Sequence, residues 1–110
     1  MCISSGSDSP IEPLEPAKNI YCAVTRKDFD GKPEGGWLPE ECLTVKEAVE
    51  CHTLQAARAV GMEDRLGMIR KGYLADVTVY PMALDAVEKD DIKELKPLMT
   101  MVGGRVYKKG

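Results

Sequence analysis

Between Gly61 and Gly67 the apolar repeat of this chain changes from the period of a helix to the period of a strand. That switch limits the possible folds more than any other feature. Upstream of it, Leu43-Thr44-Val45-Lys46-Glu47 has the form of a helix start, with Thr44 as cap and Glu47 completing a capping box. Val45, Ala48, Val49, His52, Ala56 and Val60 follow at spacings of three and four. One continuous helix with a single apolar stripe is therefore expected, ending at Gly61. Downstream, Gly67 to Arg70 reads as a short strand and Lys71-Gly72 as a turn. Ala75 to Tyr80 alternates, with Ala75, Val77 and Val79 on one face, until Pro81 stops it. Leu98 to Val102 and Arg105 to Tyr107, joined by Gly103-Gly104, carry the strongest hairpin signal in the chain. The fold class is α+β.

The flanks add shorter elements. Met1 to Ile3 is an apolar stub, read as a strand ending in the Ser4 to Pro10 loop. Pro16 suits the first turn of a helix over Ala17 to Thr25, with Ile20, Ala23 and Val24 at helical spacing. Lys27 to Glu41 is rich in Gly and Pro and reads as a long loop anchored by Trp37. Ala86 to Leu95 is charged and holds one helical turn around Asp90-Asp91-Ile92. At 110 residues the chain makes one domain at most. A closed (β/α)8 barrel needs about 200–250 residues, so a complete one is excluded. Short strands with few large apolar residues leave one sheet face uncovered, and the helix stripe has the same problem. The chain reads as incomplete by itself.

Charge and cysteine usage narrow the class. A net charge of -3 gives no field to recruit nucleic acid or an anionic membrane. The start lacks the basic and apolar regions of a signal peptide, and no apolar run approaches the roughly 18 residues of a membrane span. A soluble, cytoplasmic protein is expected. Cys2, Cys22, Cys42 and Cys51 form no C-x-x-C pair, which disfavours a cysteine-based metal or redox protein. Free, structural thiols are the better reading in a reducing compartment. His52 follows Cys51 directly, but adjacent helix residues point about 100° apart and form no dyad. His52 is read as a core or boundary residue.

Three stretches together resemble a known family. The first is Ile3-Ser4-Ser5-Gly6-Ser7-Asp8-Ser9-Pro10-Ile11-Glu12-Pro13-Leu14-Glu15-Pro16, followed by Ala23-Val24-Thr25-Arg26 and by Gly35-Gly36-Trp37-Leu38-Pro39-Glu40-Glu41-Cys42-Leu43-Thr44. The second, Asp64 to Tyr80, resembles the G-x-I-x-x-G-x-x-A-D-x-x-V signature of amidohydrolases with a composite β domain. The third, Leu98 to Tyr107, is similar to that family's closing hairpin. In this order they resemble the last quarter of metal-dependent amidohydrolases of the YtcJ-like (amidohydrolase-3) type. The resemblance implies that residues 1–62 hold the last strand, metal-site loop and two helices of a (β/α)8 barrel. Residues 63–110 would be the C-terminal part of a small composite β-sandwich. On that placement Met1 falls inside the final barrel strand, or the true start lies on a chain that precedes it.

The resemblance also implies chemistry. Asp8 corresponds to the carboxylate at the barrel mouth that ligates or faces a divalent metal, zinc first among candidates, and deprotonates the attacking water. By spacing alone, Asp8 would only cap a loop or turn. The histidine ligands of the family have no counterpart here, so the isolated chain is expected to hold no metal and to be inactive, while the parent hydrolyses small-molecule amides. Asp76, at the A-D position, is read as structural, accepting backbone N–H bonds at a strand edge. Glu12 and Glu15 flank the Asp8 loop and are read as solvated. The Trp37 loop either lines a substrate pocket or packs on the barrel exterior. A competing reading is a non-catalytic fragment that self-associates through its open sheet edge or binds a companion chain.

Overall fold

The structure, a computed structural model, describes residues 2–109. Helix α1 spans Pro16–Thr25 and begins, as the sequence predicts, with Pro16 in its first turn. Ala17, Ile20, Tyr21 and Val24 recur every three or four residues and are buried. α1 ends at Arg26, whose left-handed backbone (φ 52°, ψ 40°) lets its N–H reach the Cys22 carbonyl.

The long helix expected after Thr44 is two helices, α2 (Val45–His52) and α3 (Leu54–Ala59). They are separated by Thr53 at φ -124°, ψ -93°. The capping box is present: Thr44 Oγ1 accepts the Glu47 N–H at 3.2 Å, and Glu47 accepts the Thr44 N–H at 2.8 Å. The break turns the apolar face. Ala48, Cys51 and Ala57 are buried, whereas Val60, expected on the stripe, is 68% exposed.

The Thr44 backbone N–H first, then its hydroxyl, hold the Glu47 carboxyl below the usual carboxylate range. The box therefore contributes fully above the ordinary value of 4.5 and is lost as pH falls through the depressed one. Thr44→Ala is expected to cost about 1 kcal/mol in denaturant unfolding. The Tm difference between wild type and Glu47→Gln should shrink from neutral to acid pH.

Three antiparallel strands, β1 (Val77–Val79), β2 (Met99–Val102) and β3 (Arg105–Lys109), form a sheet in the order β1-β2-β3. Val77 faces Met101, and Val79 faces Met99. The β2–β3 hairpin turns through Gly103 (φ 56°) and Gly104 (φ 80°), the double positive φ of a type I′ turn. A bulge between Thr100 and Met101 shifts the register beyond it.

Two expected strands are not formed. Cys2 and Ile3 belong to no regular element, and Met1 lies outside the described residues. A strand needs a neighbour to pair with, and this segment instead bonds to helix ends: the Ser5 N–H donates to the Cys51 carbonyl at 3.1 Å. Gly67 to Arg70 is bend and coil, with Gly67 at a positive φ (88°) and packed on the α2–α3 junction.

The core is small. Ile20, Tyr21 and Val24 of α1 and Ala48 of α2 meet Ile92, which is fully buried. Ile92 sits in a short 3-10 helix, Lys89–Glu94, which realises the single charged turn expected there. Leu43, Val49, Leu84 and Val87 pack around this cluster half-buried. Between the helices and the sheet lies an open apolar groove of about 560 Å³, bordered by Ile20, Val49, His52, Ile69, Val77 and Met101.

Candidate active site

Asp8 opens the first turn of the chain, with its carbonyl accepting the Ile11 N–H at 2.9 Å. Its backbone is left-handed (φ 50°), a conformation that Asp tolerates better than most residues, and the residue is exposed. The approach to this turn is tied to the α2–α3 junction at two points. Ser5 bonds to Cys51, and the Cys2 thiol donates to the Gln55 carbonyl at 3.4 Å. The turn itself runs from Asp8 to Ile11, just after the Ser5-Gly6-Ser7 stretch.

Nothing gathers around Asp8 to make a metal centre. Among the described residues, no three His, Cys, Asp or Glu side chains come together as a ligand set. A hydrolytic zinc site takes about three protein ligands and a water. One exposed carboxylate does not supply that set, so a metal does not fit the residues of this chain alone.

His52 is half-buried at the end of α2, the boundary position expected of it. Its Nδ1 lies 3.0 Å from the Ala48 carbonyl, an acceptor, so Nδ1 carries the proton. Nε2 is buried and, among the described residues, has no hydrogen-bond partner. Cys51 beside it is buried in the helix pair. The four cysteines are free thiols. Burial first, then the negative charges of Glu12 and Asp28, push the Cys22 thiol up, away from the thiolate a nucleophile needs.

The remaining candidates lie elsewhere on the chain. Asp76 Oδ1 accepts the Gly103 N–H at 2.7 Å, tying the strand entrance to the hairpin turn as the sequence suggested. Glu12 is exposed. Glu15 is exposed too; its own backbone N–H, then the Lys18 ammonium at 3.3 Å, hold its carboxyl below the usual range. Trp37 is 62% exposed. Its ring lies 4.7 Å from the Arg26 guanidinium, and its carbonyl accepts Arg26 Nε at 2.6 Å. Arg26 thus fastens the loop from outside.

Sequence reasoning missed the junction at Thr53 and the two bonds that hold the Asp8 segment to it. One signal was available. Thr53 is β-branched, and its hydroxyl back-bonds to the Val49 carbonyl at 2.8 Å, a habit that bends helices.

The profile described as "Amidohydrolase family" (Amidohydro_3) matches residues 1–107. The chain belongs to the amidohydrolase family. As an amidohydrolase segment it is 35% identical over 107 residues to the provisionally named amidohydrolase YtcJ of Bacillus subtilis (strain 168), covering 96% of this chain and 20% of that protein. It is 32% identical to Protein LONG AFTER FAR-RED 3 of Arabidopsis thaliana, over 94% of this chain and 17% of the relative. It is 30% identical to the N-substituted formamide deformylase of Arthrobacter pascens, over 93% of this chain and 18% of the relative. The chain therefore spans no more than a fifth of the length of these curated relatives. No solved structure gives a significant match. Among the described residues, no helix of this amidohydrolase segment is long and apolar enough to cross a membrane.

Proposed function

We propose that these residues are the C-terminal part of a metal-dependent hydrolase of carbon–nitrogen bonds in small, non-peptide amides, and that Asp8 is the active-site carboxylate they contribute. The observation that carries this reading is the family match, which runs through the Asp8 turn to the hairpin. The name of one relative, an N-substituted formamide deformylase, supports a carbon–nitrogen bond as the one cleaved.

In this reading residues 1–62 end a (β/α)8 barrel, and residues 63–110 belong to a composite β-sandwich. The Asp8 carboxylate accepts a proton from the attacking water and returns it to the leaving nitrogen. Both transfers suit an exposed carboxylate fixed by its backbone. Asp8 would be one ligand or neighbour of a divalent metal, most reasonably zinc, whose remaining ligands come from residues outside this chain. When bound, the metal lowers the pKa of its water toward about 7. The isolated chain is then inactive. Four free thiols support a reducing, cytoplasmic setting.

A second reading, self-association as a small oligomer or pairing with a companion chain, is favoured by the apolar side chains open to solvent. Ile69 is 92% exposed, and Ile11 and Leu14 are each 74% exposed.

Both readings are checked on the purified chain, by zinc analysis after equilibration with the metal, by turnover of an N-substituted formamide, and by light scattering. Substoichiometric zinc without turnover is the expected result. One zinc per monomer together with turnover would overturn the proposal. A discrete, metal-free oligomer would move the weight to the second reading.

A further inference from the structure

An uninterrupted helix through residues 45–59 would commit the Cys51 carbonyl to the N–H of Gln55, four residues on. The break at Thr53 withdraws that donor, and the Ser5 N–H takes the carbonyl instead at 3.1 Å. Just beyond, the Cys2 thiol bonds to the Gln55 carbonyl. The segment leading to Asp8 is thus docked on the two sides of a broken helix.

The break has a visible wedge. Gly67 packs its Cα face onto the junction so closely that a Cβ there would lie 2.8 Å from Leu54 Cα and 2.9 Å from the Thr53 carbonyl oxygen. Both are backbone atoms and cannot swing aside. Gly67 also stands at φ 88°, where side chains are strained. It is the first glycine of the G-x-I-x-x-G signature. The second, Gly72, has nearly the same φ (90°) but nothing within 4 Å of its would-be Cβ. The two signature glycines share a positive φ and differ in whether they touch the junction.

We infer that Gly67 is a positioning residue for Asp8. By seating the 62–67 turn against the helix break it keeps the Cys51 carbonyl available to Ser5, and that bond fixes where the Asp8 turn begins. The functional half of this inference rests on the role proposed for Asp8; the structural half does not.

Gly72→Ala serves as the control, because it introduces the positive-φ strain without the steric contact. In the chain itself, amide hydrogen exchange read by NMR should show the Ser5 amide exchanging at least about tenfold faster in Gly67→Ala than in Gly72→Ala, with hairpin amides alike in both. In the complete hydrolase, Gly67→Ala should lower kcat by about 10²-fold with KM held, the cost of a misplaced catalytic group. Gly72→Ala should leave the kcat/KM split as in wild type.

Should Gly67→Ala fail to fold, Ser5→Pro removes the N–H donor directly and should reproduce the loss of kcat. Equal Ser5 exchange in the two glycine variants, or full turnover in Ser5→Pro, overturns the inference. Wild-type turnover in Asp8→Asn together with altered Ser5 exchange in Gly67→Ala would remove the functional reading and leave the docking of the segment standing.

Discussion

On the role proposed for Asp8, Asp8→Asn in the complete protein is expected to lower kcat by about 10²–10⁴-fold, the range in which a positioned proton acceptor contributes to catalysis. The substitution is clean for a structural reason. Asn, like Asp, accepts the left-handed backbone at φ 50°, so the turn and its bond to Ile11 survive. The residue is exposed, so stability should change by no more than about 0.5 kcal/mol. What is lost is an acceptor able to take a proton from water. Steady-state kinetics on an N-substituted formamide, beside thermal melts of both proteins, separate the chemistry from the fold. Turnover within tenfold of wild type would remove Asp8 from the mechanism.

Ile92→Ala should cost about 3 kcal/mol, within the range for deleting a buried branched side chain. Ile92 has no exposed surface and closes the cluster made by Ile20, Tyr21, Val24 and Ala48. The backbone of a 3-10 helix pinned by its neighbours is slow to collapse into the hole. Lys27 holds Asp90 at 2.8 Å, and the Lys93 ammonium bonds the Phe29 carbonyl at 2.7 Å. Urea unfolding should show a lower midpoint at an unchanged slope. Leu74→Ala, at a residue 47% exposed, should move the midpoint far less. An Ile92→Ala loss below about 1 kcal/mol would mean that the charged 89–94 segment is not part of the core.

The elements legible in the sequence are those whose cause is local. Pro16 begins α1, Thr44 and Glu47 cap α2, and Gly103-Gly104 turn the hairpin, each through bonds within a few residues. The Asp76 carboxylate was also legible, because the A-D position before a strand calls for a backbone donor, and Gly103 supplies it. The single helix from Val45 to Val60 was legible and wrong. Its spacing is helical throughout, yet the helix is interrupted at Thr53, where Gly67 from beyond the helix packs against the junction. The strand expected at Gly67 to Arg70 is bend and coil, packed at Gly67 on that same junction. Of the candidate site, the identity of Asp8 could be read from motif resemblance. Its anchoring at Ser5–Cys51 could not, since that bond joins segments 46 residues apart at a helix break that periodicity does not show.

By itself the sequence determined the α+β class, the Pro16 start of α1, the capped start of α2, the hairpin and the amidohydrolase resemblance, all written in short-range pattern or in motif. Tertiary structure alone decided where the helical period yields, that a charged stretch supplies a fully buried residue of the core, and how the Asp8 turn is held. The change of period between Gly61 and Gly67 marked the right place but understated its effect. Backbone approaching backbone leaves no trace in hydrophobic periodicity, so a glycine packed against a helix junction reads, in one dimension, as the start of a strand.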